Sequence, residues 1–75
     1  MPNQNQSLRI IRIKTVCEKA GISRATVWAK LNPKDRRHDK TFPRPFRLSD
    51  TAKAVGWLEA EIDEWINHRA QSGRI

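Results

Sequence analysis

Residues 13–31 read IKTVCEKAGISRATVWAKL, and the rest of the chain is organised around them. In the first half Ile13, Val16, Cys17 and Ala20 fall at i, i+3, i+4 and i+7, the spacing of one helix face. Gly21 follows, where a helix end needs a residue that adopts positive φ without steric cost. Ile22 is a buried-type residue in the turn, and the hydroxyl of Ser23 can accept a bond from a free N–H of a new helix. The apolar pattern then restarts, with Val27 and Leu31 four apart and facing inward. Helix, three-residue turn with Gly, and capped second helix is the layout of a helix-turn-helix, a module that reads DNA.

The whole chain has 75 residues, enough for one small domain with a modest core. Such a core needs its few aromatic residues, so Trp57 and Trp65 read as structural. No apolar run is long enough to span a bilayer and no secretory segment follows the N-terminus, which leads to an expectation of a cytoplasmic protein. Residues 1–7, MPNQNQS, read as a disordered polar leader. The lone cysteine, Cys17, lies on the inward face of the first helix and reads as a small buried hydrophobe. His38 and His68 have no partners at metal-ligand spacing, so no metal and no cofactor is expected. The chain also lacks a nucleophile–base arrangement, which argues against an enzyme.

Charge carries the second signal. The formal net charge is +7 and the sequence pI is about 10.6. Residues 1–49 hold twelve Lys and Arg against three Asp and Glu, whereas residues 50–75 hold three against five. Concentration of positive charge on the part that carries the helix-turn-helix fits a polyanion-binding face, with the acidic part pointing away.

Before the first helix, apolar residues alternate with Arg and Lys over residues 8–14, LRIIRIK, so the stretch could begin as a short strand; a brief extended segment is expected, with the helix starting near Lys14 or Thr15. After the second helix, Asn32 and Pro33 predict a stop, Asn as a left-handed cap and Pro as a residue that cannot continue the ladder. The polar loop that follows carries Lys34, Arg36, Arg37 and Lys40. It is either a solvated linker or a strip that lies along a phosphate backbone. Pro43 and Pro45 hold the next stretch extended, and Phe42 is expected in the core. Phe46 and Leu48 alternate with Arg47 as a short strand. Residues 49–53 form a turn, and residues 54–57 return antiparallel. Such a hairpin beside a helix-turn-helix is a wing, whose tip residues Thr51 and Lys53 either touch DNA or are merely structural. Over residues 58–69, Leu58, Ile62, Trp65, Ile66 and Arg69 mark one face of a last helix. Its acidic residues Glu59, Glu61, Asp63 and Glu64 suit the N-terminal dipole, with His68 and Arg69 near the other end. A polar tail, residues 70–75, is expected after it.

These elements predict a mainly α fold with a small β-hairpin: a winged helix-turn-helix domain over residues 8–69, with three helices and a two-stranded wing. The second helix would enter the major groove by its N-terminal end. Arg24, Ala25, Trp28 and Lys30 face out or sit at its edge. Arg24 could pair bidentately with guanine or bind a phosphate. Ala25 could meet a thymine methyl. Ser23 and Thr26 could combine capping with a DNA contact. Trp28 packs against the wing with partial exposure or lies on the sugar-phosphate backbone. Arg36, Arg37, Lys40, Arg44 and Arg47 would supply phosphate contacts, and Lys53 would add one from the wing.

RIIRIKTVCEKAGISRATVW followed by FPRPFRLSDTAKAVGWLEAEIDEWINHR resembles the AlpA family of short prophage-type regulators, related to the excisionase and MerR-like winged helix-turn-helix domains. The resemblance rests on Gly21, Ile22, Ser23, Arg24 and Thr26 in sequence, then Phe42 and Pro43, then Gly56 and Trp57 before the stretch from Glu61 to Trp65. It implies a sequence-specific double-stranded DNA-binding regulator of a prophage or mobile element, with RNA polymerase or an integrase as a further partner. It equally implies an excision factor that bends attachment-site DNA. A protein-interaction module acting through the acidic last helix is the alternative of another class. On DNA the chain would be a monomer or weakly self-associating.

Overall fold

The computed structural model describes residues 8–75; the leader expected over residues 1–7 lies outside them. The extended segment is strand β1, Ile10–Ile11, and it is followed at once by helix α1, Ile13–Ala20. Arg12 stays extended between them. The expected face packs inward: Val16 is fully buried, and Ile13 and Cys17 are half-buried against the core. Gly21 ends the helix at φ 70°, ψ 32°, and its N–H returns to Cys17 O at 2.8 Å. The Ile22 N–H reaches the same carbonyl at 3.2 Å. Only this left-handed step lets both amides satisfy the end of α1, and glycine takes it without Cβ strain.

Helix α2, Arg24–Leu31, starts as expected: Ser23 Oγ accepts from Thr26 N at 3.2 Å. Its stop differs from expectation. Asn32 is extended at φ −94°, ψ 112°, not left-handed, because the ring of Pro33 excludes helical backbone from the residue before it. The Asn32 side chain still works locally, accepting from Lys34 N at 3.0 Å.

The wing consists of β2, Phe46–Arg47, and β3, Val55–Leu58, antiparallel with Phe46 opposite Gly56 and Arg47 opposite Val55. β1 joins on the far side of β3, with Ile11 opposite Trp57, giving a three-stranded order β1-β3-β2. The brief N-terminal segment is therefore a third strand, the short strand that the alternation over residues 8–14 allowed. Gly56 sits at the centre of the sheet. A Cβ there would lie 2.7 Å from Ile10 Cγ2 and 3.1 Å from Leu48 Cδ2, so glycine lets side chains from both outer strands close over β3.

Helix α3, Glu59–Ser72, leaves β3 directly, and its first N–H bonds to Arg9 O at 2.8 Å. It runs three residues past Arg69 into the expected tail, since Ala70 and Gln71 favour helix and Gly73 closes the end by bonding back to Arg69 O. Ile62 is fully buried, with Trp65 and Ile66 packed beside it. One core results, of Ile11, Val16, Val27, Phe42, Trp57 and Ile62. Trp57 is its largest side chain, and its indole N–H is satisfied by Pro43 O at 3.0 Å, as a buried donor must be.

Candidate nucleic-acid interface

Helix α2 divides its residues sharply. Val27 and Ala29 are buried and Leu31 is half-buried, while Arg24, Ala25 and Trp28 are exposed. Those three occupy i, i+1 and i+4, a single outward stripe. The Ser23 cap fixes where this stripe begins, and the Ser23 and Thr26 hydroxyls bond each other at 3.0 Å. Trp28 rests on Trp57 of the wing, ring centroids 5.9 Å apart and planes at 45°, yet keeps 44% of its surface exposed. The expected combination of packing and partial exposure is the one found.

Lys30 leaves this stripe. It lies about 200° round the helix from Trp28 at 3.6 residues per turn. Its Nζ sits 5.5 Å from the ring centroid of Trp65 on α3. The structure thus separates Lys30 from Arg24, Ala25 and Trp28 and engages it in the body of the domain.

The remaining cations fall into two groups. Arg36, Lys40, Arg44, Arg47 and Lys53 are exposed, and among the described residues none of their side chains forms a hydrogen bond or ion pair. The side chains of Lys34, which the loop strip already included, and of Lys14, which it did not, are exposed and unpaired in the same way. Arg37 differs, pairing with Asp35 through Nε at 3.3 Å. The Arg37 backbone N–H and then its guanidinium hold the Asp35 carboxyl below its ordinary value, against a small opposing effect of burial.

A second basic set is committed internally. Lys19 Nζ bridges Glu59 at 3.1 Å and Asp63 at 3.0 Å, and Arg9 reaches Glu59 at 3.4 Å. Hydrogen bonds to Asp63 and then Glu59 raise the Lys19 pKa above its ordinary value. Arg12 donates from Nε to Val55 O at 2.9 Å. These groups tie α1 and β1 to α3 and β3. Glu59 and Asp63 of α3 accordingly meet cations of the domain's own N-terminal half, which a dipole argument alone does not reveal.

The loop between α2 and Phe42 is ordered by a residue that the sequence reading did not single out. Asp39 accepts from Thr41 N at 2.9 Å, from Thr41 Oγ1 at 2.6 Å and from Trp65 Nε1 at 3.2 Å. Its own N–H bonds to Lys30 O at 2.9 Å. Partial burial pushes its carboxyl up, but the Thr41 and Trp65 donors and the nearby Lys30 charge outweigh it and leave the pKa lowered. Beside this cluster, Thr41, Pro43, Arg44, Glu64, Trp65 and His68 help line an open groove of about 680 Å³. Among the described residues no group of His, Cys, Asp and Glu could hold a metal ion, and no helix is long and apolar enough to cross a membrane.

Three helices, a small antiparallel wing and a capped second helix with an outward Arg-Ala-Trp stripe define a winged helix-turn-helix domain. The family model described as prophage CP4-57 regulatory protein (AlpA) matches residues 9–70, and the chain belongs to that family. It is 46% identical over 69 residues to the DNA-binding transcriptional activator AlpA of Escherichia coli (strain K12), a match covering 92% of this chain and 96% of that protein. No solved structure matches the chain.

Proposed function

We propose that this chain is a transcriptional regulator of a prophage or mobile element that binds double-stranded DNA, with the N-terminal half of α2 in the major groove. The observation that carries the reading is the outward stripe of Arg24, Ala25 and Trp28, fixed by the Ser23 cap and seated on the wing through Trp57. Arg24 is the base-reading side chain, since a guanidinium matches guanine O6 and N7 in a bidentate pair, and Ala25 offers a methyl beside it. Exposed cations without internal partners, Arg36, Lys40, Arg44, Arg47 and Lys53, supply the phosphate contacts, with Arg37 beside them. The name carried by the Escherichia coli relative, a DNA-binding transcriptional activator, agrees with this assignment.

The test is binding to the promoter and any attachment site of the chain's own genomic neighbourhood, against random duplex, over several salt concentrations. Preference for one fragment, weakened by Arg24→Ala at a cost of about 1–3 kcal/mol in discrimination, is the expected outcome. The preferred fragment tells promoter control from help in excision. Equal, steeply salt-dependent binding to every duplex would refute base reading by α2.

A further inference from the structure

The segment between α2 and Phe42 carries Lys34, Arg36, Arg37 and Lys40 within a few residues. Cations crowded in one loop repel one another and favour an open, mobile chain. Only two acids lie among them, and they behave differently. Asp35 is a local partner: its hydrogen bonds go to the backbone and guanidinium of Arg37, two residues away. Asp39 reaches out of the loop in both directions. Its N–H takes the Lys30 carbonyl at the end of α2, and its Oδ2 takes the Trp65 indole on α3. Trp65 is itself held, with Phe42 edge-on at 4.9 Å and Lys30 Nζ at 5.5 Å. The Asp39 carbonyl then accepts from Phe42 N at 3.0 Å, so the loop passes straight from this fastening into the core.

From this geometry we infer that Asp39 is a positioning residue for DNA binding: by fastening the loop to both α2 and α3, it holds Arg36, Arg37 and Lys40 in the register from which they meet phosphates. The inference rests on the DNA-binding reading above. Asp39 itself carries the wrong sign to touch DNA, so it acts through the cations on either side of it. Asp39→Asn is a sharp probe. An amide that keeps its oxygen toward Thr41 turns its NH2 toward the Trp65 indole N–H, setting donor against donor. Trp65→Phe removes the same bond from the other side while keeping an aromatic ring against Phe42.

The experiment measures fluorescence anisotropy of a labelled mixed-sequence duplex over a salt series, for the natural chain, Asp39→Asn and Trp65→Phe. The indole N–H signals in a proton–nitrogen correlation spectrum, assigned with Trp65→Phe, report whether the Asp39 contact is made. Asp39→Asn should shift the Trp65 signal and weaken duplex binding by roughly tenfold, the scale of one charge-assisted hydrogen bond. The salt dependence should become shallower as phosphate contacts are lost. Trp65→Phe should move binding and salt slope the same way by a smaller factor. A lowered unfolding midpoint with unchanged affinity and slope would show a merely structural role and overturn the inference. If Asp39→Asn does not fold, the slope of Trp65→Phe decides by the same criterion. Absence of duplex binding by the natural chain would overturn the DNA reading and this inference with it. Binding by the natural chain with unaltered slopes in both folded variants would overturn this inference alone.

Discussion

Trp28, the exposed aromatic of the second helix, is seated on Trp57, the largest fully buried side chain of the domain, with ring centroids 5.9 Å apart. The outward stripe of α2 is therefore set by the wing strand as well as by the helix's own cap. The two tryptophans should respond to truncation very differently. Trp57→Ala empties the core centre and leaves Pro43 O without its donor, a loss of about 3–5 kcal/mol. Trp28→Ala removes a half-exposed ring contact, a loss of about 0.5–1.5 kcal/mol. Urea unfolding followed by circular dichroism measures both, and equal losses would contradict the seating.

Gly56 offers a test of the sheet. Gly56→Ala brings a Cβ to 2.7 Å from Ile10 Cγ2 and 3.1 Å from Ile11 O. Overpacking of this kind costs about 1–3 kcal/mol. The double variant Gly56→Ala/Ile10→Ala removes the tighter clash and should recover part of the lost unfolding temperature. No recovery would place the strain in the remaining contacts, with Ile11 O and Leu48 Cδ2.

The Ser23 cap predicts a third outcome. Ser23→Ala leaves the Thr26 N–H without its acceptor and should destabilise the domain by about 1 kcal/mol. Ser23→Asp restores the acceptor and should return the unfolding midpoint close to that of the natural chain. Identical midpoints for the alanine and aspartate variants would remove the cap from the account.

Acid should loosen the loop between α2 and Phe42. Asp35 and Asp39 both have folded-state pKa values below their ordinary value of 3.8. A depressed carboxylate contributes stability that is present above the unfolded pKa and is lost as pH falls through the folded pKa. Urea midpoints should therefore fall on acidification below that value, and Asp39→Asn should flatten the fall. Lys19 has the opposite sign: its raised pKa contributes stability fully present below 10.5 and lost as pH rises through the folded value. An acid limb unchanged by Asp39→Asn would assign the loss to other carboxylates.

The elements legible in the sequence were those whose causes are local. Gly21 and Ser23 marked the turn because a left-handed step and an N-cap each depend on one residue and its immediate neighbours. Phe42 and Trp57 were placed in the core by size and composition, and both are there. What escaped depends on partners far along the chain. The short strand allowed over residues 8–14 named no partner, and its pairing of Ile11 with Trp57 is set far along the chain. Lys30 is expected to face out or sit at the edge of α2, and the Trp65 ring it lies over comes from far along the chain. Asp39 is one polar residue among many in its loop, and its importance comes from an indole 26 positions away. Arg9, Arg12 and Lys19 counted toward a basic face, yet they bind the domain's own carboxylates and carbonyl.

The pairing of β1 with β3 also governs how the domain comes into being. The strand that begins the described chain is completed by one that precedes only the last helix, so α1, α2 and the loop all lie within a closed circuit. Closing a circuit through non-local pairing slows folding and couples its parts. A nascent chain emerging from the ribosome holds both short helices well before β3 is available to lock them, and neither is long enough to persist alone in water. Assembly of the α2 stripe against the wing thus waits for Trp57 and α3. Fragments ending before β3 should be unfolded, and a chain interrupted during synthesis would leave no half-formed copy of the fold.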